Sequence, residues 1–223
     1  MNKIIFKLYH NPIVSFFFPT VVRCLQNELS DCETVLDLGC GPDSPIQYCK
    51  NVKYSIGVEV FEPYLKKSKA KKIHNKYYKR DILKLDFPRN SFDAVVLIEV
   101  LEHLSAKDGR KIISLASRWA KKKVIVSSPN GFIEQKEVDN NPWQKHLSGW
   151  DYSKMSSLGF ICRGLAGLKF LRQEVENDTM GDDLTSSIRL RPRVFWFVVA
   201  SLSQILTARA PGLAFELFSV KYK

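Results

Sequence analysis

Thr34-Val-Leu-Asp-Leu-Gly-Cys-Gly-Pro42 is an apolar run that ends in an acid and then in Gly-x-Gly. Twenty positions beyond Gly39 a second short run, Ser55-Ile-Gly-Val-Glu-Val60, ends in another acid, Glu59. A strand, a glycine loop and a carboxylate closing the next strand make a nucleotide site of the βαβ type. The glycines let the backbone approach the ligand's charged end, and the carboxylate accepts from ribose hydroxyls. Asp37, ahead of Gly39, would repel a pyrophosphate, and the third glycine that dinucleotide sites use for helix packing is absent. The stretch therefore argues against a dehydrogenase.

These residues resemble motif I of the class I S-adenosylmethionine-dependent methyltransferases, written D-x-G-x-G-x-G in that family, with Asp43 here in place of the last glycine. The resemblance runs from residue 34 to residue 104 and implies a set of roles. Asp37 lies near the methionine end, where it suits the ammonium, and Gly39, Cys40 and Gly41 offer backbone amides. A helix starting near Ser44 points its N-terminus at the methionine carboxylate. Glu59 accepts from both ribose hydroxyls, followed by Val60 and by Phe61, whose ring covers the adenine. Arg80-Asp81-Ile-Leu-Lys-Leu-Asp86 resembles the family's next motif, in which Asp81 takes the adenine amino group and Ile82 holds the ring with its backbone. Glu99 borders the methyl-donor pocket.

The 223 residues suit one α/β domain with a full core, and 45% hydrophobic residues exclude a disordered chain. A net charge of +11 favours polyanionic partners, nucleic acid or an anionic membrane. Much of it is local, in Lys66, Lys67, Lys69, Lys71, Lys72, Lys76, Lys79 and Arg80, and such a run reads first as a solvated helix face. Five cysteines (24, 32, 40, 49, 162) show no metal spacing and read as reduced thiols of a cytoplasmic protein. The basic start lacks a clean secretory pattern, so no signal peptide is expected.

Residues 12–30 read as a helical cap over the core's entrance, within an N-terminal segment 1–30. Strands are predicted at 34–39, 54–59, 76–80, 92–98 and 122–127, and helices at 44–51, 62–73 and 107–120. The alternation predicts a Rossmann-like, doubly wound sheet with helices on both faces. The segment 131–157, rich in Asn, Gln, Trp and Lys, is long for a connection and reads as a lid. A strand at 159–167, a polar loop at 172–187, an apolar helix at 194–206 and a reversed last strand at 216–222 complete the chain. The C-terminal part, 188–223, thus resembles the helix and antiparallel strand that close the family's seven-stranded sheet. At 13 residues the apolar run is short of the roughly 20 that a bilayer requires, so no transmembrane span is expected, although peripheral contact with an anionic membrane stays open.

Methyl transfer asks little of the protein beyond alignment, because the sulfonium is already electrophilic, and a base is needed only where the acceptor loses a proton. In Ile98-Glu-Val-Leu-Glu-His-Leu104, a helical turn would gather Glu99, Glu102 and His103 on one face. With His146 folded back from the lid they form a two-carboxylate, two-imidazole set suited to a divalent metal. The E-x-x-E-H pattern resembles both quinone-pathway O-methyltransferases and small-RNA 3′-terminal 2′-O-methyltransferases. It is also similar to metal-free class I enzymes, in which Glu102 and His103 would be the catalytic pair, the histidine as base. Trp143, Trp150, His146 and Asn130 are the candidate acceptor contacts. The leading function is therefore S-adenosylmethionine-dependent methylation of a small-molecule hydroxyl, quinone-like, glycan or lipid-linked. An RNA acceptor is second, and a non-catalytic or membrane-surface protein retaining the fold is third.

Overall fold

In the computed structural model, residues 18–173 and 185–223 are described. Seven strands form one sheet: β1 (Thr34–Leu38), β2 (Tyr54–Glu59), β3 (Lys76–Lys79), β4 (Phe92–Ile98), β5 (Ala120–Pro129), β6 (Ile161–Leu168) and β7 (Ala214–Tyr222). Their order is β3-β2-β1-β4-β5-β7-β6. The first five are parallel, and β7 lies antiparallel between β5 and β6. Among the described residues the helices are α1 (Val21–Glu28), α2 (Glu62–Lys71), α3 (Ala106–Trp119), α4 (Tyr152–Ser157) and α5 (Arg193–Thr207).

The central strands are apolar on both faces because both are covered. Leu36, Leu38, Val95 and Leu97 point into a core shared with Ile112 and Trp119 of α3 and Met155 of α4. Val35, Val96 and Ile125 point the other way, against Cys24, Leu25 and Leu29. The predicted alternation and the reversed last strand are both present, β5 being longer at each end than its apolar run. The part of the predicted 12–30 helix before residue 18 lies outside the described residues. All five cysteines are free.

One predicted helix is absent. Instead of 44–51, only a 3-10 turn forms, Pro45–Tyr48, and Cys49 ends it in extended backbone at φ −96°, ψ 93°. Pro45 suits a first turn, but no helical turn continues past Cys49. The helix-terminus argument for binding the methionine carboxylate goes with it.

Candidate active site

The carboxyl ends of β1, β2 and β4 open into a cavity of about 500 Å³. Of the residues expected at the cofactor, Asp37, Gly39, Cys40, Gly41, Glu59, Val60, Asp81, Ile82 and Glu99 all line it. Gly39 turns at φ +70°, and a Cβ there would lie 2.6 Å from Val100 Cγ2, so the turn needs glycine on both counts. The carboxylate of Glu59 is held by two backbone donors, Gly41 N–H at 3.0 Å and Phe61 N–H at 2.9 Å. It thereby ties the glycine loop to the end of β2. Burial raises the Glu59 carboxyl above its usual range, against the lowering effect of those amides.

Asp37 is buried and accepts from Ser44 Oγ at 2.6 Å. Behind it stands His74, with Nε2 at 3.3 Å from Asp37 Oδ2 and Nδ1 at 3.0 Å from Ser55 Oγ. Nothing in the sequence motif pointed to His74. The only hint was Gly57 inside a strand: a Cβ there would sit 2.4 Å from His74 Cδ2. Tyr64 is a second residue the sequence reading missed; it lines the cavity from α2. Phe61, expected over the adenine, does not line the cavity; its ring lies edge-on to Tyr64 and only its amide reaches Glu59.

The segment after β5 supplies a wall. Gln135, Val138, Asp139, Asn141, Trp143, Gln144 and His146 all line the cavity. Tyr64 O–H donates to Asp139 at 2.8 Å, joining this segment to α2. At its other end the amides of Leu147 and Ser148 donate to the Glu102 carbonyl at 2.7 and 3.1 Å. Two residues expected at the acceptor are anchors instead. Trp150 is 2% exposed, and its indole N–H reaches Leu101 O and Ser148 Oγ, each at 2.9 Å. Asn130 is spent on the Pro211, Gly212 and Ala214 carbonyls. Neither lines the cavity.

Glu102, His103 and His146 converge on this wall, one donor atom of each lying within 4.8 Å of the others. Glu99 does not join them. Residue 99 turns left-handed at φ +54°, so no helical turn links it to Glu102, and its carboxylate accepts from Ser127 Oγ at 2.8 Å. The two imidazoles are 4.9 Å apart, with His103 Nδ1 at 3.3 Å from Lys145 O and His146 Nδ1 at 2.6 Å from Ile133 O. A carbonyl only accepts, so each Nδ1 carries the proton and each Nε2 keeps its lone pair. Burial lowers both rings, His103 to about 4, with the neighbouring His146 adding to the effect. The unfolded chain therefore takes up protons first, and stability is expected to fall as the pH drops from 6.5 towards about 4. Denaturant unfolding at pH 7.5 and pH 5 should show this slope, and a His103→Gln, His146→Gln double variant should flatten it.

Residues 36–127 match a family described as a methyltransferase domain. No curated protein matches the chain. Among solved structures, a SAM-dependent methyltransferase from Archaeoglobus fulgidus is 17% identical, with a TM-score of 0.53, 95% of this chain covered and 98% of the other. The methyltransferase domain of bacterial CtHen1 is also 17% identical with a TM-score of 0.53, over 91% and 96% of the two chains. The chain thus has the fold of the class I S-adenosylmethionine-dependent methyltransferases, and its residues 36–127 match a methyltransferase domain.

Proposed function

We propose that this chain moves a methyl group from S-adenosylmethionine to a hydroxyl of a small-molecule acceptor, with Glu102, His103 and His146 holding a divalent cation beside it. The observation that carries this reading is the convergence of those three donors on the wall of the cavity that Gly39, Gly41 and Glu59 also line. The residues suit a cation: a carboxylate and two neutral rings, each fixed by a backbone carbonyl at the nitrogen facing away. A bound cation would supply Lewis acidity, lowering the pKa of an acceptor hydroxyl. The chain's own residues bind and orient. Glu59 takes the ribose hydroxyls while its other lone pairs hold Gly41 and Phe61 N–H. Asp37, backed by His74 and Ser44, faces the ammonium, and Asp81 and Ile82 take the adenine. Trp143 and Gln144 screen the acceptor from water. Without a cation, His103 is the base, its Nε2 lone pair left open while Nδ1–H is held by Lys145 O.

Exposed Lys66, Lys67 and Lys72 on and beside α2, next to the cavity residue Tyr64, support an RNA acceptor as the second reading. Several of the basic residues there are already engaged, Lys71 with Asp43 at 3.1 Å and Lys79 with Glu62 at 2.6 Å, which favours the small acceptor. The test is calorimetric titration of Mg²⁺, Mn²⁺ and Zn²⁺ into protein saturated with S-adenosylhomocysteine, alongside His103→Ala. The expected result is one equivalent bound by the wild type and none by the variant. Methyl transfer from labelled donor to catechols and vicinal diols, but not to short RNA, would then separate the two acceptors. No metal binding would remove the cation and leave the base mechanism.

A further inference from the structure

Helix α5 presents two unlike faces. On one, Ala200, Gln204 and Thr207 are buried, and the packing is close enough that a Cβ on Gly167 would meet Ala200 O at 2.0 Å and one on Gly164 would meet Thr207 O at 2.2 Å. Those glycines belong to β6, the edge strand of the sheet. On the other face Val194, Phe195, Val198, Leu202, Ile205 and Leu206 are all exposed, Val194 to 71%. At 100° per residue these six fall within an arc of about 120°, opposite the buried three, so the stripe is continuous. Leu213, just beyond the helix, is exposed as well. Scattered apolar residues on a surface need no account, but an unbroken stripe along a whole helix does.

Within the segment that carries it, the charges are of one sign. Residues 188–215 contain four arginines (189, 191, 193 and 209) and no acid. Arg189, Arg191 and Arg209 are exposed, and no salt bridge holds them among the described residues. They bracket the apolar stripe at both ends. No helix among the described residues is long and apolar enough to cross a membrane.

We infer that α5 is a membrane-surface anchor that lays its apolar stripe into the interface of an anionic bilayer, with the flanking arginines on lipid phosphates. An interfacial helix needs an apolar face, basic flanks and no acids, and this segment has all three. A second copy of the chain fits less well. An isologous dimer through α5 would bring arginine-flanked helices together with no carboxylate in the segment to offset them. One helix of about 22 Å also buries far less than the ~800 Å² per partner of a stable interface. The stripe shares an end of the sheet with the cavity. From the C-terminal end of α5 the chain passes through Pro211–Leu213 into β7, whose Glu216 pairs with Pro129 at the carboxyl end of β5.

The test is flotation of the full chain with vesicles of phosphatidylglycerol and phosphatidylcholine, and with phosphatidylcholine alone. The expected result is binding to the anionic vesicles, weaker on the neutral ones and in high salt. Phe195→Ser with Leu202→Ser should lower partitioning by about tenfold or more. Both side chains are exposed, so the variant should keep the wild-type circular dichroism and thermal unfolding, neither of which depends on the methyltransferase reading. Failure of the wild type to float, or equal flotation of wild type and variant, would overturn the inference. So would a concentration-dependent dimer that the variant abolishes without any vesicle binding, since a second copy would then cover the stripe.

Discussion

Glu59→Ala is expected to lower affinity for S-adenosylmethionine by about a hundredfold or more while leaving the protein folded. Two losses combine. The proposed ribose contacts are charge-assisted, each worth about 1.5–3 kcal/mol. The same carboxylate also receives Gly41 N–H and Phe61 N–H, so removing it frees the glycine loop from the end of β2. Glu59→Gln separates the two effects. Its amide keeps one acceptor oxygen but turns an NH₂ towards a backbone N–H, so the loop should loosen although the side chain keeps its size. Calorimetric titration with S-adenosylhomocysteine reads both variants. Unchanged affinity in Glu59→Ala would remove this residue from the cofactor site.

The second large effect concerns turnover. Glu102→Ala and His146→Ala are each expected to lower kcat by about 10²–10⁴-fold, the range for losing a general base or Lewis-acid assistance, with cofactor affinity nearly unchanged. The split matters because Glu102 and His103, on the 3-10 turn Leu101–His103, meet His146 of the segment after β5, while Asp37 and Glu59 stand on the first two strands. Steady-state kinetics with labelled donor would show it. A fall in cofactor affinity equal to the fall in kcat would place these side chains in the donor site instead.

The strand pattern was legible because parallel strands covered on both faces must be almost wholly apolar, and β4, Phe92–Ile98, begins and ends where its sequence predicts. The glycine loop was legible because its residue types do a job few others can. What failed was geometry beyond local spacing. An i, i+3, i+4 pattern put Glu99 with Glu102 and His103, but the left-handed turn at residue 99 broke the register. Trp150 on the lid segment and Asn130 after the fifth strand read as acceptor contacts because polar-tipped and aromatic residues there suit binding and anchoring equally well. Their partners, Leu101 O and the 211–214 carbonyls, are far away in sequence. His74 was invisible for the same reason: its meaning lies in Asp37 and Ser55, brought to it by the pairing of β2 with both β1 and β3.

The most direct test of the account is calorimetric titration of S-adenosylmethionine into the purified wild-type protein. One equivalent should bind, competed by S-adenosylhomocysteine. A folded protein that binds neither would contradict it, because the cavity between Asp37 and Glu59 would then serve something other than a methyl donor.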